Sequence, residues 1–195
     1  MEKSIYLQLL EKELIPACGC TEPMAFALAA ALARKYAPGE IKEIHLKGSG
    51  LMVTGVQAVL IPNSHGRHGG FISTAMGVVA GNPDDDMEVL TKITDADLEE
   101  AEKLVKRLLD AGTFTQDLEV NVPSIYLSTN IVTDQHNATV VLQNEHNGIC
   151  YIEADGKVIL DSRDINPVTE ALEKNHVDKS ILTIPKIVEF CDTVE

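Results

Sequence analysis

Residues 21–36, TEPMAFALAAALARKY, decide the fold of this chain. Thr21 is a residue type that caps helix N-termini, Glu22 favours the positive end of a helix dipole, and Pro23 suits a first turn. The run from Met24 to Tyr36 is nearly all apolar, whereas a surface helix would carry a polar face. The sequence therefore predicts a buried helix.

The signals on either side of this helix alternate between helix and strand. Apolar residues and capping signals predict further helices at residues 4–14, 71–80 and 95–111. Residues 41–46 and the Val-rich run 51–61 are typical of strands. The chain beyond residue 113 is β-rich, with strands predicted at 114–122, 124–133, 138–145, 149–154 and 157–160. Asp155-Gly156 between the last two is a hairpin signal.

Two more helices are predicted at 168–175 and 184–193. The predicted fold class is α+β, with N-terminal helices, a central antiparallel or mixed sheet with packed helices, and C-terminal helices. We expect a single α+β region over residues 1–195. It would comprise a helical segment at 1–40, a sheet-containing core at 41–165 and terminal helices at 166–195.

Composition excludes several classes of function. The 195 residues include 16 Lys and Arg but 30 Asp and Glu, which gives a net charge of −14. Such a chain lacks the basic surface that binding to nucleic acids or anionic membranes requires. No targeting segment is visible, and the most apolar stretch, Met24–Ala33, is too short to span a bilayer. We therefore predict a cytoplasmic protein with reduced thiols.

Cys20 is the most informative of the four cysteines. It immediately precedes a predicted helix N-terminus, where free N–H groups and the helix dipole stabilise a thiolate. A thiolate is what a soft metal ion or an iron–sulfur cluster binds. The structural alternative is a buried loop cysteine, because free cysteine is often buried. Cys150 and Cys191 fall in a predicted strand and a predicted helix, where small core residues are expected.

The other polar clusters give weaker indications of a functional site than Cys20 does. His65 and His68 flank a flexible loop and are interpreted as solvated side chains. Asp84-Asp85-Asp86 predicts a solvated turn, because calcium sites space their ligands along a loop. Gly48-Ser49-Gly50 lacks the residues of a phosphate-binding loop.

The segment from Pro16 to Pro23, followed by an Ala-rich helix, resembles the Pro-Ala-x-Gly-Cys-Thr-Glu-Pro signature of the iron–sulfur L-cysteine desulfidases. These proteins are relatives of the iron–sulfur L-serine dehydratase alpha chain. Segments further along the chain resemble other elements of that family in the same order: 59–62, 75–77, 81–83, 88–90, 145–149 and 155–156.

The resemblance implies an iron–sulfur lyase that eliminates sulfide or water from L-cysteine or L-serine to give pyruvate and ammonia. Cys20 would be a ligand of a [4Fe–4S] cluster, and Thr21, Glu22 and His146 would be catalytic residues. The family's other cluster cysteines lie in a helical C-terminal half that is absent here. The resemblance thus implies the N-terminal part of an enzyme, or a split subunit with a companion, inactive alone. The end of the chain directly after a predicted helix also favours a longer polypeptide.

Two alternatives remain open. The missing half and altered motifs, such as Cys18 at an aliphatic position, are compatible with a non-catalytic module for small-molecule binding or oligomerisation. A mononuclear metal site formed by Cys18, Cys20 and a histidine is the other. The expected partners are a small amino-acid substrate and the missing half or companion subunit, and the sequence is compatible with a homo-oligomer.

Overall fold

The structure is a computed structural model that describes residues 4–163, 180 and 182–194. The predicted helix at 168–175 lies outside these residues. The chain divides into two compact units, one formed by residues 16–164 and the other by residues 1–15 together with 165–195.

In the larger unit most helices precede most strands along the chain. The helices are α1 (Ile5–Glu13), α2 (Thr21–Tyr36), α3 (Gly50–Ala58), α4 (Gly70–Ala80), α5 (Asp95–Asp110) and α6 (Ile184–Thr193), with a 3₁₀ segment at Pro83–Glu88. The strands are β1 (Ile41–Gly48), β2 (Phe114–Leu118), β3 (Tyr126–Thr133), β4 (Asn137–Gln143), β5 (Ile149–Ala154) and β6 (Lys157–Asp161). Helices α1 and α6 belong to the smaller unit, and the other elements to the larger one.

The six strands form one mixed sheet in the order β2-β1-β3-β4-β5-β6. Strands β1 and β2 are parallel, and every other neighbouring pair is antiparallel. Asp155 and Gly156 both have positive φ angles, 51° and 77°, and connect β5 to β6 as a tight hairpin turn. The predicted α+β class and this hairpin are confirmed.

Helix α2 is largely buried, as its composition predicts, and belongs to the main hydrophobic core. It packs on β3 and β4 and against α4. Its alanines leave little side-chain bulk, and Gly77 of α4 lies directly on the backbone of Ala27, where a Cβ would overlap it. Ser73 of α4 donates a hydrogen bond to the carbonyl of Pro23. The N-terminal end of α2 is therefore held in place by its neighbours.

The strand predicted at residues 51–61 is wrong, because residues 51–58 lie in helix α3. The Ser49 hydroxyl caps it by accepting a hydrogen bond from the N–H of Met52 at 3.4 Å. The buried residues, Met52 and Val56, are four apart, which is a helical spacing rather than an alternation. Local capping and tertiary packing thus override the β-preference of valine.

In the smaller unit, α1 and α6 contact each other through aromatic rings. Tyr6 and Phe190 stack with ring centroids 4.7 Å apart. An apolar cavity of about 400 Å³ is lined by Tyr6, Leu9, Leu10, Leu14, Leu182, Ile187, Phe190 and Cys191. Within the described residues, none of the helices has the length and apolar character needed to cross a membrane.

Candidate functional site

Cys20 lies at the N-terminal end of α2 with its thiol exposed to solvent. The helix begins at Thr21, so Cys20 and not Thr21 is the N-cap residue, a correction to the predicted start. Thr21 and Glu22 are half-buried in the first turn. The backbone N–H groups of this turn have no intrahelical acceptor, and their dipoles favour negative charge at the position of Cys20. The free N–H groups of this turn can therefore bind an anionic group.

The turn before α2 is held from two sides. The N–H of Cys18 donates to the carbonyl of Met87 at 3.3 Å. The ring of Pro62 covers Gly19 so closely that a Cβ there would overlap it. These contacts fix the turn that presents Cys20.

Cys18 packs against the core, whereas Cys20 is exposed. The Sγ of Cys18 lies 3.1 Å from the Sδ of Met24 and 3.7 Å from the carbonyl oxygen of Met87, and the side chain is half-buried against the core. Among the described residues, no three His, Cys, Asp or Glu side chains are grouped so that they could hold a metal ion. The mononuclear site proposed for Cys18, Cys20 and a histidine is therefore not assembled from these residues.

Glu22, in the first turn of α2, lies close enough to His146 for their charges to interact. Glu22 lies against Gly55 of α3, where an added Cβ would come within 3.2 Å of the Glu22 Cγ. His146 belongs to the loop between β4 and β5, and its Nε2 atom is buried without a hydrogen-bond partner among the described residues. Burial lowers the pKa of His146, and the nearby Glu22 carboxylate partly offsets this shift. The Nε2 atom of His146, which has no hydrogen-bond partner among the described residues, thus lies in a loop within electrostatic range of the Glu22 carboxylate.

The loop that carries His146 is tethered to the 3₁₀ segment. Asn147 donates through its Nδ2 to the Oδ2 of Asp86 at 2.9 Å. Met87, the next residue, is the one whose carbonyl accepts from Cys18. The segment 86–87 therefore connects the Cys20 turn with the His146 loop.

The other predicted candidates lie elsewhere. His65 pairs with Asp95 at 2.7 Å on the surface, and His68 is exposed in the same loop. Cys150 is buried in β5, as expected of a core residue, and burial raises the pKa of its thiol to about 11. Cys191 is exposed on α6, although a core position was predicted.

Sequence reasoning missed four residues of this site, namely Gly55, Pro62, Asp86 and Asn147. Asp86 was interpreted as part of a solvated acidic turn, but the three aspartates have different partners. Asp84 pairs with Lys35 at 3.3 Å and Asp85 with Lys92 at 2.8 Å, whereas Asp86 binds Asn147. The only signal in the sequence is the acidic triplet itself, which does not reveal a partner 61 residues away.

Comparison with known proteins finds relatives over nearly the whole chain. The UPF0597 protein of Finegoldia magna is 34% identical over 192 residues, which is 97% of this chain and 44% of the relative. The UPF0597 protein of Aeromonas hydrophila is 33% identical over 186 residues, covering 95% of this chain and 40% of the relative. The UPF0597 protein of Lachnoclostridium phytofermentans is 30% identical over 189 residues, which is 97% of this chain and 43% of the relative. This chain thus spans less than half the length of these relatives.

No protein-family profile and no solved structure matches the chain. The assignment to the N-terminal portion of the iron–sulfur L-cysteine desulfidase and L-serine dehydratase alpha-chain family is wrong. The relatives that match 97% of this chain carry the name UPF0597 protein instead. The similarity therefore points to the UPF0597 proteins, and function has to be argued from the site.

Proposed function

We propose, from the chemistry around Cys20, that this chain forms part of the active site of an iron–sulfur-dependent lyase. The reaction would eliminate sulfide from L-cysteine or water from L-serine. The observation that carries the proposal is an exposed cysteine at a helix N-terminus whose first turn carries Glu22. The Glu22 carboxylate lies within electrostatic range of the half-buried His146, whose Nε2 has no hydrogen-bond partner among the described residues. Such a combination offers a metal ligand, a base and a charge that stabilises the protonated base.

Among the described residues, Cys20 fits the role of one protein ligand of a [4Fe–4S] cluster. Cys20 can supply one thiolate, whereas such a cluster uses about four protein ligands, or three when one iron binds substrate. No further group of ligands is assembled among residues 4–163, 180 and 182–194. The remaining ligands would come from polypeptide beyond these residues, in the same chain or in a companion subunit, and the chain alone would be inactive.

A bound cluster would supply a Lewis-acid iron that polarises the leaving group of the substrate. The residues of this chain account for the proton transfers. The imidazole of His146 would accept the proton from Cα, and the Cβ–S or Cβ–O bond would break. Hydrosulfide or hydroxide would leave with the bonding electrons and take up the proton from the imidazolium to give hydrogen sulfide or water. The Glu22 carboxylate would stabilise the imidazolium that forms. The aminoacrylate product then hydrolyses to pyruvate and ammonia.

Thr21 has a positioning role in this proposal. It is the first residue of α2 and is half-buried, so its hydroxyl is available next to the helix N-terminus. Together with the free N–H groups of the first turn, it can bind the carboxylate of an amino-acid substrate. Binding of the carboxylate there would place Cα near the neighbouring imidazole.

The test uses the native protein, purified anaerobically from its source cells with any polypeptide that accompanies it. Iron, acid-labile sulfide and pyruvate formation from L-cysteine and L-serine are measured. We expect Cys20→Ala to lose both cluster and turnover. The matched control, Cys191→Ala, changes another exposed cysteine outside the site and should retain both. His146→Gln should retain the cluster but lower turnover by about 10²–10⁴-fold.

A native protein that contains no iron, or a Cys20→Ala variant with unchanged iron and turnover, would refute the proposal. In that case the alternative, a non-catalytic small-molecule-binding or oligomerisation module, makes a different prediction. The protein would remain folded and free of iron, and ligand binding or self-association would survive the loss of Cys20.

A further inference from the structure

The acidic 3₁₀ segment has a part in the site that its sequence does not suggest. We propose that Asp86 is a positioning residue, which holds the His146 loop against the turn that carries Cys20 through its hydrogen bond with Asn147. The catalytic meaning of this inference rests on the proposed function, because the position of His146 affects turnover only if His146 acts as the base. The geometry that carries it is independent of any activity.

The first observation is the tether itself. The Oδ2 atom of Asp86 accepts a hydrogen bond from the Nδ2 of Asn147 at 2.9 Å. Among the described residues, this is the side-chain hydrogen bond that joins loop 144–148 to the rest of the larger unit. The loop's backbone hydrogen bonds run to Ile125 and within its own hairpin. A charged acceptor makes this a strong hydrogen bond, and both residues are half-buried.

The second observation is the backbone of Asp86. Its φ of 50° and ψ of −126° lie in a region that glycine occupies readily and other residues rarely. Strained residues of this kind persist where the surrounding structure holds them, and they are concentrated at functional sites. Glycine would suit the conformation better, but it has no carboxylate with which to bind Asn147.

The third observation is how the segment is anchored. The carbonyl of Asp86 accepts from the N–H of Val89 at 3.1 Å, and the carbonyl of Met87 accepts from Cys18 at 3.3 Å. The same short segment therefore contacts the Cys20 turn through its backbone and the His146 loop through its side chain. Asp86 thus sets the distance between the two halves of the site.

The experiment compares four variants of the native protein. Asp86→Gly removes the tether and relieves the strained backbone. Asn147→Asp places two carboxylates against each other. Asp86→Asn keeps an acceptor oxygen for Asn147, and the double variant Asp86→Asn/Asn147→Asp restores the hydrogen bond with donor and acceptor exchanged.

The readout is the rate at which diethyl pyrocarbonate modifies His146, measured by peptide mass spectrometry. His136, which pairs with Asp155 at a different loop, serves as the reference in the same sample. We expect labelling of His146 to accelerate about tenfold in Asp86→Gly and in Asn147→Asp. It should stay within about twofold of the native rate in Asp86→Asn and in the double variant. Thermal unfolding checks that the variants remain folded.

Two results would overturn the inference: unchanged labelling of His146 in both single variants that break the tether, or fast labelling in the double variant. If Asp86→Gly fails to fold, the labelling rates of His146 in Asn147→Asp and in the double variant still test the inference. Turnover is measured separately on the same samples. A protein without lyase activity that shows the expected labelling pattern would refute the proposed function but leave the role of Asp86 intact.

Discussion

At the scale of single residues, the turn before α2 depends on the absence of a side chain at Gly19. Its φ angle is an ordinary one, so the glycine is required by space and not by backbone conformation. The ring of Pro62 occupies the place where a Cβ would lie. Because the proline ring is stiff, a Cβ added at Gly19 would force the turn that presents Cys20 to move.

Gly19→Ala should therefore lower the free energy of unfolding by about 1–3 kcal/mol, the usual effect of overpacking. Urea unfolding followed by circular dichroism measures the change. Gly50→Ala is the control, because a Cβ there meets only Leu118 at an ordinary 3.9 Å. If the two variants had equal free energies of unfolding, the Pro62 ring would have moved aside without destabilising the fold.

The cysteines offer a second prediction at this scale. Burial raises the pKa of the Cys150 thiol to about 11, so that it remains protonated at pH 8. We expect iodoacetamide to label Cys20 and Cys191, which are exposed, and to leave Cys150 unlabelled until the protein is denatured. Peptide mass spectrometry gives the three rates. Labelling of Cys150 as fast as that of Cys191 in the native protein would contradict its placement in β5.

At the scale of elements, α5 shows how a helix start is specified locally. Thr94 and Asp97 form a capping box, in which each side chain bonds the backbone N–H of the other residue. Two hydrogen bonds from Thr94 lower the pKa of Asp97. Because the charged carboxylate is the favoured form in the folded helix, it stabilises the folded state at neutral pH.

This stabilisation should disappear on acidification. It is present above the unfolded pKa of about 3.8 and is lost as pH falls through the lower, folded value. Asp97→Asn should therefore be less stable than the native protein at pH 7, and the difference should vanish towards pH 3. Thermal midpoints at both pH values test this. Glu99→Gln, at an exposed position of the same helix, is the control and should not reproduce the trend.

At the scale of the whole molecule, the net charge of −14 dominates long-range electrostatics. Exposed ion pairs such as Lys106–Asp110 contribute little to stability, so their screening costs little. Self-repulsion among the excess carboxylates opposes folding and is weakened by salt. Because salt weakens the repulsion more than it weakens stabilising ion pairs, we expect added salt to stabilise the folded protein at neutral pH.

Raising sodium chloride from about 20 to about 200 mM should increase the thermal midpoint by about 2–4 °C at pH 7. Repeating the measurement near pH 4.7, the isoelectric point of the sequence, should largely remove the effect because the net charge is then close to zero. A lower midpoint in salt at pH 7 would mean that attractive ion pairs outweigh the repulsion.

Features encoded by neighbouring residues could be predicted from the sequence. The apolar run of α2, the amphipathic pattern of α5 and the Asp155-Gly156 turn all rest on contacts a few residues apart. The position of Cys20 before a helix is of the same kind. The α+β class and the excess of negative charge also follow from composition and order alone.

Tertiary structure decided what surrounds Cys20. Residues 51–61 prefer strand by composition, but the Ser49 cap and burial of Met52 and Val56 make residues 51–58 helical. Glu22 and His146 are brought together because α2 packs across strands whose connecting loop carries the histidine. The Asp86–Asn147 contact spans 61 residues. Local propensities extend over a few residues only, so contacts at such separations arise from the packing of α2 against the sheet.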